Sequence, residues 1–72
     1  MSIPDMTPVD SSNVEAVGHD PENETLYVTF LGGGTYTYAG VDQQTFEELR
    51  DAPSVGSFLN RMIKPNYPYE EI

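Results

Sequence analysis

One histidine, twelve carboxylates and no cysteine bound the chemistry open to this 72-residue chain. His19 is followed by Asp20, a possible His–carboxylate pair, and Ser11 and Ser12 are the nearest upstream hydroxyls. A nucleophilic triad is defined by arrangement, and nothing in this spacing imposes one. His19 therefore reads as a surface or turn histidine, and no catalytic residue is assigned. Asp20, Glu22 and Glu24 place three carboxylates within five residues. They lack the loop spacing and glycine of a calcium-binding EF-hand, so no metal site is expected. Gly32-Gly33-Gly34 lacks the Lys and Ser/Thr that complete a phosphate-binding loop, and β-prone residues flank it on both sides. It reads as a turn. The absence of cysteine removes disulfides, thiol nucleophiles, iron–sulfur centres and cysteine-based zinc sites. No cofactor is expected.

Binding chemistry is better represented. Tyr27, Tyr36 and Tyr38 fall in β-prone segments, and residues 54–69 hold Arg61, Lys64, Tyr67 and Tyr69 with no acid. Aromatic rings can stack on bases or insert into a partner, and the two cations can meet a phosphate or carboxylate. The competing structural reading makes the tyrosines part of the core, their hydroxyls reaching the rim. Arg61 and Lys64 would then simply complement the C-terminal dipole of a helix.

The formal charge is -9, and it is uneven: residues 1–40 carry six acids and no base. Such a field repels phosphate backbones and anionic membranes and attracts basic partners. It would also suit a salt-rich cytoplasm, where screening removes self-repulsion. Met1-Ser2-Ile3-Pro4-Asp5 has neither a basic nor an apolar region, and no stretch approaches the roughly 20 apolar residues of a membrane span. A cytoplasmic protein is the expectation.

Residues 1–12 read as an irregular lead-in. Val14 to Gly18 suggests an edge strand, and residues 19–24 a polar turn with Pro21 at its second position. Leu26, Val28 and Phe30 alternate with Tyr27, Thr29 and Leu31, all strand-favouring types. The three glycines and then Thr35-Tyr36-Thr37-Tyr38 complete a hairpin. Asp42 can cap a helix that starts at Gln43 and turns Phe46 and Leu49 inward. Ser54 can cap a second helix with a Phe58, Leu59, Met62 and Ile63 stripe, which Pro65 stops. Gly56 in its first turn costs about 1 kcal/mol unless close packing demands it. The expected fold is α+β: a three-stranded antiparallel meander with two short helices on one face, β-β-β-α-α. Residues 13–69 would form the domain and residues 70–72 a tail. So small a core makes stability marginal or dependent on a partner or self-association.

Hairpin register decides what the tyrosines do. A two-residue turn at Gly32-Gly33 sets Tyr36 opposite Thr29 and Tyr38 opposite Tyr27, gathering all three tyrosines away from Leu26, Val28 and Phe30. A three-residue loop of residues 32–34 pairs Phe30 with Tyr36 and Val28 with Tyr38, and both tyrosines join the core face. The sequence permits either.

Read in order, Val9-Asp10-Ser11-Ser12, Val17-Gly18-His19-Asp20, Leu26-Tyr27-Val28-Thr29-Phe30, Gly33-Gly34-Thr35-Tyr36-Thr37-Tyr38, Gly40-Val41, Ala52-Pro53-Ser54-Val55-Gly56 and Phe58-Leu59-Asn60 resemble the KTSC domain. That small domain occurs alone in bacterial and phage proteins and at the C-terminus of some lysyl-tRNA synthetases. Tyr36-Thr37-Tyr38 matches its central Y-x-Y, and Ser54-Val55-Gly56 its Ser-x-Gly. Val55 stands where Lys is common, and His19 where Tyr is common. The resemblance implies one compact domain, no attached activity, and RNA as a suggested partner. Residues and resemblance together lead to a non-catalytic binding module for a protein partner with a basic surface. The alternative is RNA or tRNA binding through Tyr36, Tyr38, Arg61 and Lys64.

Overall fold

The computed structural model describes residues 4–72. Strands β1 (Thr7–Pro8), β2 (Val14–Asp20), β3 (Thr25–Phe30), β4 (Thr35–Ala39) and β5 (Tyr69–Glu71) form one sheet in sequential order, antiparallel at every step. Helix α1 (Gln43–Arg50) and helix α2 (Val55–Phe58) lie between β4 and β5 in the chain. Helix α2 runs on into a π-helical turn, Leu59–Ile63, closed by the Lys64 amide donating to the Leu59 carbonyl at 2.9 Å.

The expected α+β fold is present, with five strands rather than three. The central meander is β2-β3-β4, and each outer strand is too short to carry an alternating pattern of its own. Thr7 and Pro8 pair with Val17 and Ala16 at one edge, where a proline without an N–H is tolerated. At the other edge Tyr69, Glu70 and Glu71 pair with Tyr38, Thr37 and Tyr36. Strand β2 is consequently interior, not an edge, and it extends through His19 and Asp20.

The hairpin matches neither expected pairing. Tyr36 faces Val28 and Tyr38 faces Leu26. The loop is Leu31, Gly32 and Gly33, held by the Gly33 amide donating to Phe30 O and the Phe30 amide donating to Gly34 O, both at 3.2 Å. Gly32 has φ of +71°, the left-handed value required at the third position of a type II turn. Pairing is thus shifted by two residues from the three-residue expectation. A shift of two preserves the face, so Tyr36 and Tyr38 share the side of Leu26 and Val28.

That side carries the core. Val14, Val17, Leu26, Val28 and Tyr38 from the sheet meet Val41, Phe46, Leu49, Val55, Leu59 and Ile63 from the helical layer. Asp42 caps α1 by accepting the Thr45 amide at 2.8 Å, and Ser54 caps α2 by accepting the Ser57 amide at 3.3 Å. Within the second stripe Leu59 and Ile63 are fully buried, whereas Phe58 is half-buried and Met62 is exposed. Val55, Leu59 and Ile63, spaced four residues apart, all reach the core. Gly56 is buried, and a Cβ there would meet Asn13 Oδ1 at 2.5 Å, so close packing does account for it. No helix among the described residues is long and apolar enough to cross a membrane.

Candidate functional site

On the core face, toward the β5 edge of the sheet, a cleft opens. Phe30, Gly33, Gly34, Tyr36, Tyr38, Lys64 and Tyr69 line a cleft of about 420 Å³, a size within the range of ligand sites. Period-2 alternation sends Tyr36 and Tyr38 into it from β4, and β5 pairing brings Tyr69 beside both. Tyr69 lies 5.9 Å from Tyr36 and 6.0 Å from Tyr38 between ring centroids, at interplanar angles of 52° and 40°. Phe30 meets Tyr36 edge-on at 5.5 Å and 82°. The end of the π turn carries Lys64, whose Nζ stands 5.4 Å from the Phe30 centroid. The Glu71 carboxylate sits over Gly34, where a Cβ would meet its Oε2 at 2.7 Å.

The rings differ in what they can do. Tyr38 is 2 % exposed, and burial, reinforced by neighbouring Tyr36 and Tyr69, raises its phenol above the ordinary tyrosine range. It is a wall. Tyr36 is half-buried and Tyr69 is 63 % exposed, so both remain open to solvent in part. Lys64 is exposed and carries no ion pair among the described residues.

Of the seven candidate binding residues, Tyr36, Tyr38, Tyr69 and Lys64 converge here. Tyr27 does not. It is buried on the opposite sheet face, paired with Gly18, against which Pro4, Asp5 and Met6 lie. Tyr67 packs half-buried against the core, near Gly40, and Arg61 does not line the cleft. Phe30 and the rim carboxylate of Glu71 belong to the site and were not expected there. Phe30 read as plain core, and Glu71 enters only through β5 pairing.

His19 is neither in a turn nor on the open surface. Its Nε2 donates to the Val41 carbonyl at 2.6 Å, and its ring stacks on Phe46 at 5.2 Å. That hydrogen bond fixes the tautomer, since a carbonyl only accepts, and leaves Nδ1 buried without a partner. Arg50 also lies over the Phe46 ring, 5.7 Å from its centroid. Ser11 Oγ bonds Asn13 and accepts the Val14 amide instead of approaching His19. Asp20 is spent on its own turn, accepting from the Asn23 side chain and then the Asn23 and Glu22 amides, which lower its pKa. Among the described residues no three His, Asp or Glu side chains converge as metal ligands.

A second hollow, about 340 Å³ and polar, gathers Ser11, Ser12, Asn13, Ser54, Ser57 and Asn60. Three separate sequence motifs meet in it, which linear spacing does not reveal.

The comparisons agree with this architecture. The family model of the KTSC domain matches residues 10–67. A Tsukamurella paurometabola protein is 44 % identical over 62 residues, covering 86 % of this chain and 92 % of its own. The lysine–tRNA ligase of a Nostoc species is 33 % identical over 63 residues, 88 % of this chain and 11 % of the ligase. The crystal structure of a KTSC domain protein from Yersinia pestis superposes with a TM-score of 0.90 at 34 % identity, covering 94 % of this chain and 96 % of that one. The chain belongs to the KTSC domain family.

Proposed function

We propose that this chain is a non-catalytic binding module that engages a protein partner through the cleft between β4, β5 and the end of the π turn. The observation that carries the reading is the convergence of exposed Tyr69 and half-buried Tyr36 with Phe30 and Tyr38 in one cleft. Exposed aromatic rings at the mouth of a pocket supply contact area at low conformational cost, which is why such residues dominate binding energetics at interfaces. A net charge of -9 favours partners with basic surfaces.

The test is affinity capture from the native host with nuclease treatment, comparing the wild type with the double variant Tyr36→Ser, Tyr69→Ala. Tyr69 is exposed and Tyr36 half-buried, so circular dichroism first establishes that the variant keeps its fold, and Tyr69→Ala alone serves where it does not. A protein retained by the wild type and lost by the folded variant supports the reading; equal retention by both removes the cleft from it. Similarity to part of lysine–tRNA ligases favours RNA as the second reading. Tyr36 and Tyr69 would then stack bases while Lys64 met a phosphate, at about 1–3 kcal/mol per stacked base. Nuclease-sensitive capture would move the assignment to RNA.

A further inference from the structure

We infer that the cleft takes the guanidinium group of an arginine on a basic protein segment, and that Lys64 now occupies the place that arginine would fill. This rests on the cleft being the binding face. The rings of Phe30, Tyr36, Tyr38 and Tyr69 stand at 40–82° to one another where they meet, so they enclose a space rather than forming one flat stacking platform. Such an enclosure offers several negatively polarised ring faces to one cation. The chain itself demonstrates the interaction, because Lys64 Nζ stands 5.4 Å from the Phe30 centroid.

The charges point the same way. Glu71, which pairs with Tyr36 and so shares the cleft face, holds a carboxylate at the rim over Gly34. Long-range attraction from a -9 chain concentrates cations at this surface and opposes anions. A guanidinium is planar and weakly hydrated, so it leaves water and stacks on a ring more readily than an ammonium. Lys64 is exposed and free of ion pairs among the described residues, so it can swing out to water when displaced. It is a weak internal competitor.

That arrangement makes the sign of a lysine substitution diagnostic. The probe is the blocked tripeptide Gly-Arg-Gly, titrated into the full chain and followed by amide chemical shifts. Its neutral counterpart carries citrulline in place of arginine. The arginine probe should shift the signals of Phe30, Tyr36, Lys64 and Tyr69, and the citrulline probe should not. Lys64→Gln should bind about 2- to 5-fold more tightly, the range expected when an exposed cation–π contact no longer competes. Equal binding of both probes, or weaker binding by Lys64→Gln, overturns the inference and indicates an anionic ligand held by Lys64. Silence of the cleft toward the arginine probe in both proteins also overturns it. If the Tyr36→Ser, Tyr69→Ala variant still loses its captured protein in that case, the cleft remains the binding face and only the arginine is wrong.

Discussion

Tyr38 and Tyr69 are neighbours with opposite duties, and their substitution should separate stability from binding. Tyr38 is buried among Leu26, Val41 and the helical layer, so Tyr38→Ala should cost about 3–5 kcal/mol, as other large-to-small aromatic truncations do. Tyr69 is largely exposed, and Tyr69→Ala should lie within about 0.5–1 kcal/mol of the wild type in urea denaturation while weakening partner capture. The same burial has a consequence at high pH. Because the folded Tyr38 pKa is raised, the folded state keeps a proton that the unfolded chain releases. Its stabilising contribution is complete below the ordinary tyrosine range and is lost as pH rises through the raised value. An absorbance titration of tyrosinate should show a late component that disappears in Tyr38→Phe. A titration in which Tyr38→Phe removes amplitude only from the ordinary range would contradict this placement.

At the scale of elements, turns and caps carry the clearest tests. Gly32→Ala forces a side chain into a left-handed backbone and should cost about 1–2 kcal/mol, whereas Gly33→Ala, with a normal φ and open space around its Cβ, should change little. Removing the α2 cap with Ser54→Ala should cost about 1 kcal/mol. The α1 cap adds a pH dependence. The Thr45 side chain, and then its amide, lower the Asp42 pKa, so its contribution is present above the ordinary carboxylate range and lost as pH falls through the depressed value. Thermal melts should therefore show a smaller acid-induced loss in Asp42→Asn than in the wild type. These are also the features most legible in the sequence: Asp42, Ser54, the Leu26, Val28 and Phe30 alternation and the inward Phe46 and Leu49 all announce themselves locally. What stayed hidden depends on distant partners. Thr7 and Pro8 become a strand only against Val17 and Ala16, and the tail becomes β5 only against Tyr36 and Tyr38. The register turned on whether Leu31 or Gly34 joined the loop, which three consecutive glycines leave undecided.

Across the whole molecule, one face of the sheet is roofed by helices except at the β5 edge, while the other presents Thr25, Thr29, Thr35 and Thr37 around a covered Tyr27. The site is therefore the uncovered remainder of the core face, and its composition follows from the core's own alternation. Part of this cleft's lining was legible for that reason: Tyr36 and Tyr38 had to share a face, and Lys64 had to end a helix. Which face, and the arrival of Tyr69, required the complete sheet. With a charge of -9, association with a basic partner should weaken steeply as salt rises, mainly through a slower on-rate. The most direct trial of the account is amide hydrogen exchange on the chain alone and with its captured protein partner. Slowed exchange is predicted at Phe30, at residues 36–38, at Lys64 and along β5. Protection confined to the threonine face, or to the polar hollow between Ser12 and Ser57, with the aromatic cleft unchanged, would contradict it.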